Sequence, residues 1–295
     1  MRKRFALIAA VLLLLAALTG CGTAGQIVIG AQTYTEAKIL AEMYKALIED
    51  RTGLEARVIP DLASSTVVIQ AMKRNDLQIS TLYTGEIFNN HFPFEETKDR
   101  EEVLRQAKEG FDRYFDFKWL DPLGFENTYA FTVRGALAEE RGYESISDVK
   151  PDAGSLRLGV DTTWLEREAD GYPAFSKYYG IKFGNTYPME QSLVYQAVAQ
   201  RQVDIVLAYS TDSRLKAYGL TTLRDDKQFF PPYDASPVIR NDLAEKHPEV
   251  VQAISELTGT IDEQTMIDLN YEVDIEKKSE REVALAYLKK NGLLQ

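Results

Sequence analysis

Two stretches far apart in this chain share one pattern, LQISTLYTGE at 77–86 and VDIVLAYSTD at 203–212. Each is an apolar, β-rich run that ends in tyrosine, followed by a small hydroxyl residue and, three places after the tyrosine, by an acid. Such a run, bounded by turn-forming residues, is typical of a buried strand. The duplication constrains the fold strongly, because the two strands are expected to occupy equivalent places in two lobes of similar architecture.

The residues ahead of each copy alternate between strand and helix patterns. Strand-like runs at 26–31 and 55–60 precede the first copy, and between them TYTE at 33–36 has the spacing of a capping box that opens a helix. The same order precedes the second copy, with strands at 156–160 and 182–186. This β-α-β-α-β alternation predicts an α/β fold of two lobes, each a mostly parallel sheet flanked by helices.

The amino-terminal segment has the features of a secretory leader. Residues 2–4 are basic, residues 5–18 are apolar but too short a stretch to span a bilayer, and LTGC at 18–21 resembles a bacterial lipobox. We therefore expect residues 1–20 to be a signal peptide and Cys21 to be lipid-anchored at the extracytoplasmic face of the cell membrane; a chance thiol is the alternative. Cys21 is the single cysteine, so its acylation would leave no disulfide in the mature chain.

The charge of the mature chain limits its partners. Removing the three basic residues of the leader from 34 Lys and Arg leaves 31 against 45 Asp and Glu, a net charge of −14. Such a balance argues against binding to nucleic acid or to anionic lipid surfaces, and it suits a cationic or overall neutral ligand.

Candidate ligand contacts follow the predicted strands, because the carboxyl ends of parallel strands meet at the edge where ligands bind. Gln32, Tyr83, Asp161 and Tyr209 fall there. We expect the chain to cross between the lobes near 127–131 and again near FFPPYDASP (229–237), where two prolines hold Tyr233 on a stiff connector. The predicted boundaries are 21–130 for the first part of lobe 1, 131–232 for lobe 2 and 233–295 for the second part of lobe 1.

Eight motifs together make the chain similar to the quaternary-amine-binding lipoproteins of osmoprotectant ABC importers, which bind choline, glycine betaine, carnitine and related compounds. The motifs are GAQ (30–32), YTG (83–85), DPLGFENTYAFTV (121–133), LGVDTTW (158–164), TYPM (186–189), LAYSTD (207–212), DDKQFFPPYDASPV (225–238) and LNYEVD (269–274).

The resemblance implies a two-lobed, type II periplasmic-binding-protein clamshell that closes on a small quaternary ammonium ligand. It implies a cage of four tyrosines around the trimethylammonium head, formed here by Tyr83, Tyr129, Tyr209 and Tyr233. It also implies partners, an ABC permease with its ATPase. We expect a monomeric binding protein with no catalytic residue, no metal and no cofactor.

The polar end of the ligand is harder to assign. Gln32 and Asn127 resemble family contact positions, although either could satisfy a local backbone group instead. Glu86 follows YTG, where an acid in relatives goes with choline preference; the alternative is a first-turn acid at a helix N-terminus. With Gln32 where some relatives have lysine, we expect choline to be favoured, and broad glycine betaine and carnitine binding is the alternative.

Other functions remain as alternatives. A carboxylate-based enzyme would have to work without the HExxH, GxSxG and P-loop motifs, which are missing from the sequence. A surface lipoprotein would not need a duplicated lobe with tyrosines at its strand ends, and an amino-acid binder would need an arginine and aspartate pair instead of a tyrosine cage. Trp164 fits a pocket floor or a structural position equally well, and Arg167, flanked by Glu166 and Glu168, fits a surface charge cluster better than a ligand contact.

Overall fold

The computed structural model describes residues 26–168 and 171–294, so the predicted signal peptide and Cys21 lie outside the described residues. These residues form two five-stranded sheets with helices packed on them. The strands are β1 (Ile27–Gln32), β2 (Ala56–Leu62), β3 (Ile79–Tyr83), β4 (Phe117–Trp119), β5 (Tyr129–Arg134), β6 (Arg157–Val160), β7 (Asn185–Pro188), β8 (Ile205–Tyr209), β9 (Leu220–Thr222) and β10 (Ala235–Arg240).

The α-helices lie between the strands and, over the last fifty residues, after them. They are α1 (Thr35–Thr52), α2 (Ser65–Lys73), α3 (Arg100–Phe115), α4 (Gly135–Arg141), α5 (Thr162–Glu166), α6 (Tyr172–Tyr179), α7 (Val194–Ala199), α8 (Ser213–Ala217), α9 (Asn241–Lys246), α10 (Pro248–Ser255), α11 (Glu263–Asp274) and α12 (Glu280–Lys290). Short 3₁₀ turns supplement them, and one of these, Thr84–Asn89, directly follows β3.

The two sheets have the same plan. The first has the order β2-β1-β3-β10-β4 and the second the order β7-β6-β8-β5-β9. In each, three neighbouring strands are parallel and the fourth in the order is antiparallel to the third. The duplicated sequence runs form β3 and β8, which hold the same central place in their sheets. The predicted α/β class with two similar lobes is confirmed, and we call the sheets with their helices the first and second lobe.

The antiparallel strands mark where the chain enters a lobe. Strand β5 begins just after the chain leaves the first lobe, and β10 begins just after it returns. The two crossing segments lie side by side, since the amide of Asn127 donates to the carbonyl of Tyr233 at 3.1 Å and Glu126 forms a β-bridge with Asp234. The lobe boundaries proposed above stay a prediction, although both fall close to the start of these strands.

The first lobe has a core on the face of its sheet covered by α1. Ile39, Leu40, Met43 and Leu47 of this helix are buried, as the periodicity predicts. Residues of α10, α11 and α12 belong to the same cluster, so the carboxyl-terminal helices return to the first lobe. Burial of each large apolar side chain contributes about 1.5–3 kcal/mol, so this face contributes strongly to the stability of the lobe.

The second lobe has an aromatic core. Trp164 is fully buried there, with its ring 5.9 Å from those of Phe131 and Phe175. Its position decides between the two interpretations of this residue: Trp164 is a structural residue under the sheet and does not form the floor of a pocket. It supports α5, the helix that leads to Arg167.

Candidate functional site

The four predicted cage tyrosines lie at corresponding places in the two lobes. Tyr83 ends β3 and Tyr209 ends β8, and the antiparallel neighbour of each strand brings a second tyrosine to the same edge. Tyr129, the first residue of β5, pairs directly with Tyr209. Tyr233 lies two residues before Ala235, which pairs with Tyr83. All four line one cleft between the lobes, with a volume of about 1160 Å³.

The tyrosines of the second lobe form a stacked pair. The ring centroids of Tyr129 and Tyr209 are 5.3 Å apart and their planes meet at 17°. Burial raises the pKa of Tyr209, and interaction with Tyr129 adds to the effect, so its hydroxyl stays protonated at physiological pH. The pair therefore presents an aromatic wall to the cleft.

The tyrosines of the first lobe form the facing wall. Tyr83 is buried and its hydroxyl donates to the carboxylate of Glu36. Burial raises the pKa of Tyr83 well above its usual range, and the negative charge of Glu36 raises it further. The ring of Tyr233 lies directly on Gly85, where a Cβ atom would come within 2.3 Å of it. Gly85 of the YTG motif is therefore the platform on which the Tyr233 ring rests.

The segment around Tyr233 is held on both sides. Thr84 Oγ1 accepts from the amide of Asp234 at 2.9 Å, and the Asp234 carboxylate accepts from Arg100 Nε at 2.8 and 2.9 Å. With Pro231 and Pro232 ahead of it, the backbone at Tyr233 has little freedom to rearrange. Such pre-positioning lowers the entropy that a ligand must overcome when it binds.

Gln32, Asn127 and Glu86 also line the cleft. Gln32 is buried at the end of β1. Asn127 Nδ2 donates to Glu36 at 2.8 Å, which leaves its amide oxygen as the group able to accept from a ligand. Glu86 is a first-turn residue of the 3₁₀ turn and also a lining residue, and its Oε2 lies 2.9 Å from Asn89 Nδ2 and 3.2 Å from His91 Nε2. The roles of these residues as ligand contacts stay predictions.

Glu36 is a buried carboxylate at the floor of the cleft whose position the sequence did not reveal. TYTE at 33–36 indicated a capping box, but this interpretation was wrong, because Tyr34 is the N-cap of α1 and no side chain caps the helix. Glu36 instead accepts hydrogen bonds from side chains of both lobes. Tyr34, half-exposed, also lines the cleft, and burial together with Glu86 and Glu36 raises its pKa.

Arg167 and the loop at 94–98 are further lining residues that sequence reasoning did not assign to the cleft. The guanidinium carbon of Arg167 lies 5.9 Å from the centroid of the Tyr129 ring, so the expectation of a surface charge cluster was wrong. Lys98 of the loop donates to the carbonyl of Phe229 and lies 4.7 Å from the centre of its ring. Helix α3 begins at Arg100, and residues just before it line the cleft.

Replacing Gly85 with alanine tests the platform under Tyr233. The new methyl group would displace the Tyr233 ring, and we expect ligand affinity to fall about 5- to 10-fold, in line with about 1–1.4 kcal/mol for a small overpacking strain. Calorimetric titration measures the effect. The matched control is Gly154→Ala, since nothing lies within 4 Å of the Cβ position there. Equal affinities for the two variants would show that the ring position does not depend on Gly85.

Comparison with known proteins agrees with this geometry. Residues 25–290 match the model of a family described as the substrate binding domain of ABC-type glycine betaine transport systems. The carnitine transport binding protein OpuCC of Listeria monocytogenes is 40% identical, over 100% of this chain and 99% of that protein. A glycine-betaine-binding protein of Pseudomonas aeruginosa is 34% identical, over 93% of this chain and 91% of that protein.

A solved structure supports the same conclusion. A chain from the crystal structure of a glycine betaine/carnitine/choline ABC transporter superposes with a TM-score of 0.88 at 39% identity, covering 91% of this chain and 100% of that one. Two similar lobes with a cleft between them define a solute-binding protein, and the family match assigns it to the ABC importers, whose binding proteins are extracytoplasmic. Within that class, the chain belongs to the family of substrate-binding domains of glycine betaine transport systems.

Family membership settles two of the expectations. The chain is a binding protein and not an enzyme, and it has the two-lobed periplasmic-binding-protein fold predicted for it. Within 26–168 and 171–294, no helix combines the length and the apolar character needed to cross a bilayer.

Proposed function

We propose that this protein captures quaternary ammonium compounds that carry a carboxylate, such as glycine betaine and carnitine, and delivers them to the permease of an ABC importer. The observation that carries the proposal is the meeting of two tyrosine pairs from facing lobes in one cleft, with Arg167 beside Tyr129. The names of the relatives from Listeria monocytogenes and Pseudomonas aeruginosa support the same class of ligand.

Aromatic walls suit a trimethylammonium head for a physical reason. The nitrogen has no N–H to donate, and its charge spreads over methyl groups that are apolar in shape but positive in potential. Aromatic faces offer an apolar surface and a negative quadrupole together. At about 0.5–2 kcal/mol for each ring, four rings supply about 2–8 kcal/mol before ordering costs. Micromolar binding needs about 8 kcal/mol net, so contacts to the other end of the ligand have to contribute.

Arg167 is the cationic side chain best placed for those further contacts. A guanidinium beside the cage pairs with a carboxylate through charge-assisted hydrogen bonds, whereas the hydroxyl of choline offers it no charge. Gln32 lies in the same cleft, and its side-chain N–H groups can donate to the carboxylate, whereas the amide oxygen of Asn127 can accept from a donor such as the hydroxyl of carnitine.

Choline is the second candidate ligand, and Glu86 is the observation that favours it. A carboxylate in the wall of the cleft attracts the cation of choline and repels the carboxylate of glycine betaine or carnitine. The preference for choline expected from the sequence stays a prediction, and it opposes the preference that Arg167 favours.

Replacing Glu86 with threonine separates the two ligand classes. If this carboxylate faces the ligand, the variant should shift the ratio of choline affinity to glycine betaine affinity toward glycine betaine by about 5-fold, corresponding to about 1 kcal/mol for a partly screened charge interaction. Parallel titrations with both ligands measure the ratio. Glu101→Thr, on the exposed first turn of α3, is the matched control. A ratio unchanged from the wild type would remove Glu86 from the ligand site.

The decisive test of the proposed function is a calorimetric titration of the chain from residue 22 with glycine betaine, carnitine and choline. Binding of none of the three would contradict the proposal. The anchor and the partners are proposals of the same kind: acylation of Cys21, a permease with its ATPase, and action as a monomer. Mass spectrometry of Cys21 in protein from the membrane fraction tests the anchor, and an unmodified thiol would contradict it.

A further inference from the structure

Glu36 is the most connected buried carboxylate beside the cleft. It lies in the first turn of α1 with 2% of its surface exposed. Oε1 accepts from the hydroxyl of Tyr83 and from Asn127 Nδ2 at 2.8 Å. Oε2 accepts from Thr211 Oγ1 at 2.6 Å and from Asn270 Nδ2 at 3.4 Å. The four donors come from four separate parts of the chain.

These bonds satisfy the carboxylate within the protein. An ionised carboxylate has about four acceptor positions, and a buried one without partners is strongly destabilising. Two donors on each oxygen fill those positions. Glu36 therefore does not need a ligand to complete its hydrogen bonding, which distinguishes it from the residues proposed as ligand contacts.

The donors tie the two aromatic walls together. Tyr83 belongs to the wall of the first lobe. Thr211 lies two residues beyond Tyr209 in the second lobe, and its carbonyl accepts from Asn270 Nδ2 at 2.9 Å. The Glu36 carboxylate thus binds the Tyr83 hydroxyl in the wall of the first lobe and Thr211, which follows Tyr209 in the wall of the second lobe.

The bond from Tyr83 also affects the electrostatics of the cage. A phenol that donates to a carboxylate is polarised toward phenolate, which makes the face of its ring more negative. A more negative ring face attracts a cation more strongly. The negative charge behind Tyr83 therefore favours a cationic head over a neutral one of the same shape.

We propose that Glu36 is a positioning residue of this protein: it sets the distance between the tyrosine walls and polarises Tyr83 without touching the ligand. The proposal depends on the proposed function in one respect, the identification of the ligand as a quaternary ammonium compound. The bond from Thr211 links the lobes, so the proposal also has a consequence that can be measured without any ligand.

The experiment uses Glu36→Gln, which replaces one acceptor oxygen with a donor, and Thr211→Val, which removes the bond from Thr211 to Glu36 and keeps the bond from Asn270 to the Thr211 carbonyl. Tyr83→Phe keeps the ring and removes the polarising bond. Thr222→Val, on the edge strand β9, is the matched control. Each variant is titrated with glycine betaine by calorimetry, and spin labels on the two lobes report the distance between the lobes without ligand.

We expect affinity to fall about 10-fold for Glu36→Gln and about 3- to 5-fold for Thr211→Val and Tyr83→Phe, with Thr222→Val like the wild type. Glu36→Gln combined with Thr211→Val should weaken binding by less than the sum of the two single effects, because both changes alter the bond between residue 36 and Thr211. Without ligand, Thr211→Val should broaden the distribution of distances between the lobes.

Wild-type affinity in both Glu36→Gln and Thr211→Val would overturn the proposal, as would full additivity of the two changes. If Glu36→Gln does not fold, Thr211→Val still decides, because it keeps the carboxylate and three of its donors. If the wild type binds no quaternary ammonium compound, the proposed function fails separately. The distance measurement then decides alone: a distribution unchanged by Thr211→Val overturns the positioning role, and a broader one supports it.

Discussion

Replacing Tyr83 and Tyr209 together with alanine is expected to lower the affinity for glycine betaine by about 30- to 1000-fold, since each desolvated ring contributes about 1–2 kcal/mol to binding an onium cation. The pair takes one ring from each wall. Losing Tyr209 also removes the partner on which Tyr129 stacks at 5.3 Å, so the remaining ring loses its support. Calorimetric titration of the wild type, both single variants and the double variant measures the effect.

The controls separate a lost cage from a damaged fold. Tyr114→Ala removes an exposed tyrosine that stacks on Phe92 away from the cleft, and its affinity should equal that of the wild type. Tyr209→Phe keeps the ring and should retain most of the affinity. Wild-type affinity in a correctly folded double variant would mean that the rings do not enclose the cation, and the proposed function would lose its main support.

The sequence was most informative where local pattern and position in the sheet agree. LQISTLY and VDIVLAY are long apolar runs, and the structure places both as central strands ending in tyrosine. Parallel strands bring their carboxyl ends to one edge, so Tyr83 and Tyr209 could be assigned to a cleft without coordinates. Tyr129 and Tyr233 needed the family resemblance, because each depends on where an antiparallel strand enters its sheet.

Glu36 shows where sequence reasoning stops. Its local context, TYTE, is a genuine match to a capping pattern, and nothing within ten residues shows that its partners are Tyr83, Thr211 and Asn270. Those contacts exist only after the lobes and the carboxyl-terminal helices have assembled. A short pattern reports local preference, whereas the burial of a polar group depends on tertiary packing.

Arg167 shows that the pattern of charges in the sequence also fails to predict the position of a side chain. Glu166 and Glu168 beside it indicated an exposed cluster, because alternating charges on a short segment are usually solvated. Residues 162–166 form α5, which packs through Trp164 into the core of the second lobe, and the chain leaves this helix with Arg167 toward the cleft. The direction of one side chain at the end of a five-residue helix follows from that packing and is not encoded in the neighbouring charges.

Replacing Arg167 with glutamine is expected to weaken glycine betaine and carnitine by about 10- to 100-fold, because a charge-assisted bond to a carboxylate contributes about 1.5–3 kcal/mol. Choline has no carboxylate, so its affinity should change by less than about 3-fold. A change of that size is no larger than the loss of the exposed cation–π contact between Arg167 and Tyr129 would cause. Titration of all three ligands against both proteins measures the split between the two classes.

The matched control for this prediction is Arg113→Gln. Arg113 also lies over a tyrosine ring, with its guanidinium carbon 5.4 Å from the centroid of the Tyr114 ring, but it lies on the surface of α3 and away from the cleft. Equal weakening of choline and glycine betaine in Arg167→Gln would mean that Arg167 acts only by packing on Tyr129, at 5.9 Å. Unchanged affinity for both would leave Gln32 as the donor to the carboxylate and would favour Glu86 and a preference for choline. Selective loss of the carboxylate ligands would assign the two ends of the site: tyrosines for the cation and Arg167 for the anion of one zwitterion.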